Sequence, residues 1–257
     1  MTSLFVSHGA PTFALEPGLA GPALSQLGKE LPRPNAVLVV SPHWMTPEVR
    51  VGLAQTPGTI HDFRGFEPAL YKLEYPAHGH PMLAKRALSL LDKAGWQPMA
   101  DVHRGLDHGA WVPMTYLYPD ASVPVFQVSL PANLDSHSAY QMGQILAPLQ
   151  EEGVLVVGSG SLTHNLYEVR WKDNSGAEYA KAFSQWIREA VLENDQASLI
   201  NAMALAPYAK RAHPTSEHFL PLLFALGAAG PNARGSVIEG GIEHGVLSMD
   251  SFIFQKG

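Results

Sequence analysis

Short runs of consecutive apolar residues, each stopped by turn-forming residues, recur along the chain. They fall at 4–7 (LFVS), 36–41 (AVLVVS), 123–130, 154–158 (VLVVG) and 252–254. Runs of this length read as strands, and their continuous rather than alternating apolarity predicts sheet positions covered on both faces. Between them the period lengthens. Residues 81–94 place Leu83, Ala87, Leu90 and Leu91 at helical spacing, with Gly95 as a stop signal. Residues 138–152 align Met142, Ile145, Leu146 and Leu149, and residues 177–193 align Tyr179, Phe183, Trp186, Ile187 and Val191. Strands alternating with helices predict an α/β fold, a three-layer α/β/α sandwich around a mostly parallel or mixed central sheet. No repeat or linker divides the pattern, so a single catalytic domain over 1–257 is expected. The Pro-rich stretch 57–76 fits neither period and reads as a long ordered loop, a kind of segment that often carries function.

Composition narrows the chemistry. There is no cysteine among the 257 residues, which excludes disulfides, thiolate zinc sites, iron–sulfur clusters and cysteine nucleophiles. A net charge of −6 without long charged runs argues against nucleic acid as a partner. Nothing resembles a signal peptide, and no apolar stretch is long enough for a membrane span. A cytoplasmic protein acting on a small molecule is the expectation, as a monomer or small homo-oligomer.

Histidine stands out, with 12 in the chain. His8 ends LFVSH, His43 follows AVLVVS in SPHW, and His164 follows VLVVGSGS. His108 lies in LDHG, read as a turn leading towards Trp111. In open α/β sheets the ligand crevice lies beyond the carboxyl ends of the strands, so residues distant in sequence can meet there. His218, in PTSEHFLP, is a further candidate, placed in the first turn of a helix capped by Thr215 or Ser216. His61, His78, His80, His103 and His137 read as surface or loop residues, and His244 is open. Other signatures fail: there is no H-E-x-x-H, and Gly158-Ser159-Gly160-Ser161 fits no nucleophile elbow, dinucleotide fingerprint or P-loop. It reads as a tight turn delivering His164. The residues alone point to a mononuclear metal site.

Several segments together carry a resemblance. They are SHGAP at 7–11, SPHW at 41–44, TIHDFRGF at 59–66, LDHGAW at 106–111, GSGSLTHNL at 158–166, PTSEHFLPLL at 214–223 and GIEHGVLSM at 241–249. In this order, nearly end to end, they resemble the class III extradiol ring-cleavage dioxygenases, in the 4,5-DOPA dioxygenase branch. The resemblance implies that His8, His43 and His218 hold the metal, that His164 is catalytic at the metal pocket, and that His108 lines the substrate side. Glu217 adjoins His218 and is an alternative donor. It further implies a catechol and O₂ as substrates and Fe(II) as the active metal, with Zn(II) able to occupy the same site but redox-silent. Trp44, Phe66 and Trp111 adjoin these motifs as candidates for an aromatic pocket. Two rivals use the same residues: a zinc-dependent hydrolase, and a non-catalytic metal-binding protein of the same fold.

Overall fold

The computed structural model describes residues 2–256. Its centre is a six-stranded mixed sheet. In chain order the strands are β1 (Thr2–Ser7), β2 (Ala36–Val40), β3 (Val125–Gln127), β4 (Val154–Gly160), β5 (Ala233–Ile238) and β6 (Ser251–Lys256). The spatial order is β3-β2-β4-β1-β6-β5. The first four strands in that order run parallel, and β6 and β5 add an antiparallel edge. The main helices are α1 (Ala20–Glu30), α2 (Pro81–Lys93), α3 (His108–Leu117), α4 (Ser136–Leu146), α5 (Glu178–Leu192) and α6 (Leu220–Ala229).

The continuous apolar runs do what their composition requires. Alternate side chains of β2 divide between two cores: Val37 and Val39 pack with residues of α1 and α3, while Ala36, Leu38 and Val40 pack with residues of α2 and α4. On β1, Leu4 and Val6 join the first core and Phe5 packs with residues of α5 and α6. Every residue of β2 is fully buried, and burial of each Val or Leu contributes roughly 1.5–3 kcal/mol. The expected three-layer arrangement is found. Among the described residues no helix is long and apolar enough to cross a membrane.

Several local readings are corrected. The run 123–130 divides into β3 and a two-residue strand, Leu130–Pro131. The helix read at 138–152 begins earlier, where Asp135 caps it through Ser138 N at 2.7 Å, and gives way to a 3-10 turn after Leu146. Helix α6 starts at Leu220, later than the expected cap at Thr215 or Ser216, and it is apolar all round with every residue buried, so no stripe marks its extent. Its start is the detail that matters for the site. Gly158 and Gly160 lie within β4 rather than in a turn, and a side chain at Gly160 would sit 2.2 Å from the His218 carbonyl oxygen. The bare glycine lets the chain entering α6 press on β4, where Ser161 N donates to His218 O at 3.0 Å.

Candidate metal centre

Parallel neighbours β2, β4 and β1 end side by side, with Val40 opposite Gly158 and Ser7 opposite Gly160. His8, His43 and His164 are the first histidines beyond those three ends, which brings them to one edge of the sheet. Two more arrive from helix starts. His108 is the first residue of α3, not part of a turn. His218 stands two residues before α6 rather than inside its first turn.

The rings converge. Centroids of His8 and His43 are 5.0 Å apart, those of His8 and His218 5.6 Å, and those of His43 and His218 5.2 Å. His108 packs on His43 at 3.9 Å, and His164 stacks flat on His218 at 3.5 Å with 9° between the ring planes. Donor atoms of His8, His43 and His108 lie within 4.8 Å of one another, as do those of His164, Glu217 and His218. The ligand set expected from sequence therefore draws on both groups.

The hydrogen bonds assign the tautomers. Ser159 Oγ gives its only proton to the Gly109 carbonyl, so it accepts from His8 Nδ1 at 2.9 Å. The Asp62 carboxylate lies 3.4 Å from His43 Nδ1, and the Glu217 carboxylate 3.2 Å from His218 Nδ1. A carboxylate only accepts, so His218 carries its hydrogen on Nδ1 and keeps a lone pair on Nε2, as His8 does; the longer contact at His43 Nδ1 is an ion-pair distance and leaves its tautomer unassigned. His8 Nε2 and His43 Nε2 face each other at 3.1 Å, close enough for His43 to donate a hydrogen to the His8 lone pair or for both nitrogens to ligate one cation. A proton is a poor candidate. Burial and the neighbouring histidines hold the His8 pKa well below the usual range, and burial with His108 lowers His43 to about 3. His218 Nε2 is buried without a partner, and burial with His164 and His43 also holds its pKa well down. Three neutral, converging imidazoles, two of them tied at Nδ1, fit a divalent metal. Glu217 Oε1 is engaged by His218 Nδ1 and by Thr215 Oγ1 at 2.9 Å, so it supports the His218 ring.

A family model described as the catalytic LigB subunit of aromatic ring-opening dioxygenase matches residues 22–247. The chain belongs to this family. Among curated relatives, a 4,5-DOPA dioxygenase extradiol from Beta vulgaris is 39% identical over 256 residues, covering 98% of this chain and 96% of that one. Another of the same name, from Escherichia coli (strain K12), is 38% identical over 260 residues, covering 97% and 93%. A solved structure of an uncharacterized protein from Escherichia coli K12 aligns over 100% of both chains, with a TM-score of 0.82 and 34% identity. Aromatic ring-opening dioxygenases of the LigB family depend on a metal, and the histidine cluster is where this member can hold one.

The cluster of this LigB-family protein opens onto a cavity of about 340 Å³, large enough for one substituted aromatic ring. His43, His108, His164 and His218 form its floor, and Phe63, Phe66, Trp171, Leu166, Val169 and Leu247 supply apolar wall. Of the aromatic candidates read from sequence, Phe66 lines the cavity. Trp111 is fully buried with Nε1 donating to Ile60 O at 3.0 Å, and Trp44 is buried beneath Arg104. His164 is neutral near pH 7, because burial lowers its pKa to about 4 against the opposing charge of Glu217. His244 is buried, packs on Trp171 at 4.7 Å and adopts a left-handed backbone, φ 52°.

Sequence reading missed Ser159, Asp62, Phe63, Arg64 and Trp171. Asp62 is the most consequential. Burial alone would raise its pKa, but hydrogen bonds and charge from His108 outweigh that and hold it down at about 2. Asp62, Phe63 and Arg64 all stand inside the TIHDFRGF segment, so the signal was present but carried no periodicity to say which way each residue faced.

Proposed function

We propose that the protein is an extradiol dioxygenase that opens the ring of a catechol and places both atoms of O₂ in the product. One observation carries the site: the Nε2 atoms of His8 and His43 meet at 3.1 Å near the buried, unpartnered Nε2 of His218, at the floor of a ring-sized cavity. His8, His43 and His218 are the residues that would hold the metal, and the native metal on this reading is Fe(II). Such a metal supplies open coordination positions for catechol and O₂ and a path for electrons between them.

The chain's own residues do the rest. His164, neutral and without a hydrogen bond to its ring, is placed to accept a catechol proton and to return it later. His108 faces the substrate with its Nε2 lone pair, since its Nδ1 donates to Asp62 at 2.9 Å. Phe63, Phe66 and Trp171 keep water from the ring and offer faces for it to pack on. Arg64 is the one lining side chain with a permanent charge, and no carboxylate pairs with it among the described residues. On this reading the preferred catechol bears a carboxylate on its side arm, as L-DOPA does. Arg64→Ala is expected to raise KM about tenfold for such a substrate, the size of one charged hydrogen bond, and to leave KM for 4-methylcatechol unchanged. Equal effects on both would remove Arg64 from recognition.

The testing experiment is anaerobic reconstitution with Fe(II), then air and a panel of catechols including L-DOPA, with O₂ uptake and the yellow ring-opened product recorded. Stoichiometric O₂ consumption with product, absent in zinc-loaded protein, is expected. Silence across the panel with iron demonstrably bound would overturn the reading. The zinc hydrolase alternative is not favoured, because the curated relatives over nearly the whole chain are named as dioxygenases.

A further inference from the structure

Asp62 makes contacts that no sequence motif explains. Its residue as a whole is exposed, yet the side chain is only 19% accessible, so the exposure is mostly backbone and the carboxylate points inward. Oδ1 accepts from the His108 backbone N–H at 2.8 Å, while Oδ2 accepts from His108 Nδ1 at 2.9 Å and lies 3.4 Å from His43 Nδ1. Asp107, the residue at the N-cap position of α3, makes no side-chain cap bond. Its Oδ2 is taken by Gln127 Nε2 at 2.8 Å and Arg104 Nη2 at 3.2 Å. Asp62 therefore caps the helix from another segment and grips the ring of the same residue whose backbone it caps.

We propose that Asp62 is a positioning residue that fixes His108 in the tautomer protonated at Nδ1, so that Nε2 meets the substrate as a lone pair. Two bonds from one carboxylate to one residue lock both the side-chain torsions and the proton. One carboxylate from the loop thus sets which nitrogen of His108 is open.

Asp62→Asn separates this role from simple helix capping. The backbone N–H of His108 can only donate, so the amide must turn its oxygen there and keep the cap. Its NH₂ group then faces His108 Nδ1, which must become the acceptor, and the ring proton moves to Nε2. A cap alone would survive this change, while the tautomer inverts.

The primary measurement needs no metal and no turnover. Long-range ¹H–¹⁵N correlation spectra of ¹⁵N-histidine-labelled, metal-free protein report the tautomer, with His108→Gln assigning the ring. Wild type is expected to show His108 protonated at Nδ1, and Asp62→Asn at Nε2. The kinetic arm rests on the dioxygenase reading. Per bound metal, Asp62→Asn is expected to lower kcat about 100-fold with little change in KM. In a His108→Gln background the same substitution is expected to cost less than about twofold, since its partner is already gone. An unchanged tautomer in Asp62→Asn overturns the proposal, and so does an undiminished kcat loss in the His108→Gln background. If wild type itself proves inactive, the spectra still decide the matter, so the two readings fail separately.

Discussion

His108 is committed to Asp62 through its ring Nδ1 and its backbone N–H, with His43 Nδ1 3.4 Å from the same carboxylate. Across the cluster His164 lies flat on His218, and its ring has no hydrogen bond to the described residues. In the first half His108 is tethered by hydrogen bonds, and in the second His164 is steadied by stacking on His218, which Glu217 holds. A ring fixed by a carboxylate is suited to presenting one chosen nitrogen. A ring that is merely stacked can change its protonation without breaking a bond to the protein. On the proposed reading, orientation belongs to Asp62 and His108 and proton movement to His164.

The sharpest way to break that contrast is His164→Ala. It is expected to keep metal at the wild-type level and lose about 10²–10⁴-fold in turnover, by metal analysis and single-turnover kinetics on the same sample. Metal-free mutant protein would show His164 to be a ligand and the two halves to be equivalent. Gly160→Ala attacks the stacked half through the backbone. Its new methyl would meet the His218 carbonyl, and a loss of about 3 kcal/mol in chemical denaturation is expected. Glu217→Gln removes the carboxylate behind His218. It is expected to weaken metal affinity about tenfold in competition with a chelator while leaving kcat per bound metal unchanged, unlike Asp62→Asn.

The smallest effect is a control outside both halves. Burial, with Glu16 adding its charge, raises the Glu243 pKa to about 7. Between the ordinary carboxylate value and pH 7 the folded state keeps a proton that the unfolded chain releases, so stability falls as pH rises through that window. Glu243→Gln is expected to be more stable than wild type at pH 8 by about 1 kcal/mol, after discounting for partial exposure, and level with it at pH 4. Equal stability at both pH values would show that Glu243 is well solvated.

What the sequence made legible follows the same division. His8, His43 and His164 could be found because each ends a run whose apolarity announces a strand, and parallel strands bring their ends together by rule. His108 and His218 were named, but their settings were misjudged. α3 is buried over most of its surface and contains Pro113, and α6 has no polar face, so neither shows a helical stripe. Asp62 was out of reach because its loop has no period, and only the tertiary fold turns that carboxylate inward. The role of Gly160 was hidden for a related reason: glycine beside serine reads as a turn until the packing of α6 shows what the missing side chain makes room for.

Strand β1 precedes every other element, yet in the finished sheet it lies between β4 and β6. During synthesis its two hydrogen-bonding edges stay unpaired until residues 154–160 and then 251–256 have emerged. The histidine cluster is thus a late product of folding, assembled from contacts of long sequence range. Fragments ending before β4 carry a bare apolar strand suited to pairing with other chains. Assembly of the cluster therefore waits on the pairing of β1 with β4, which brings His8 beside Ser159.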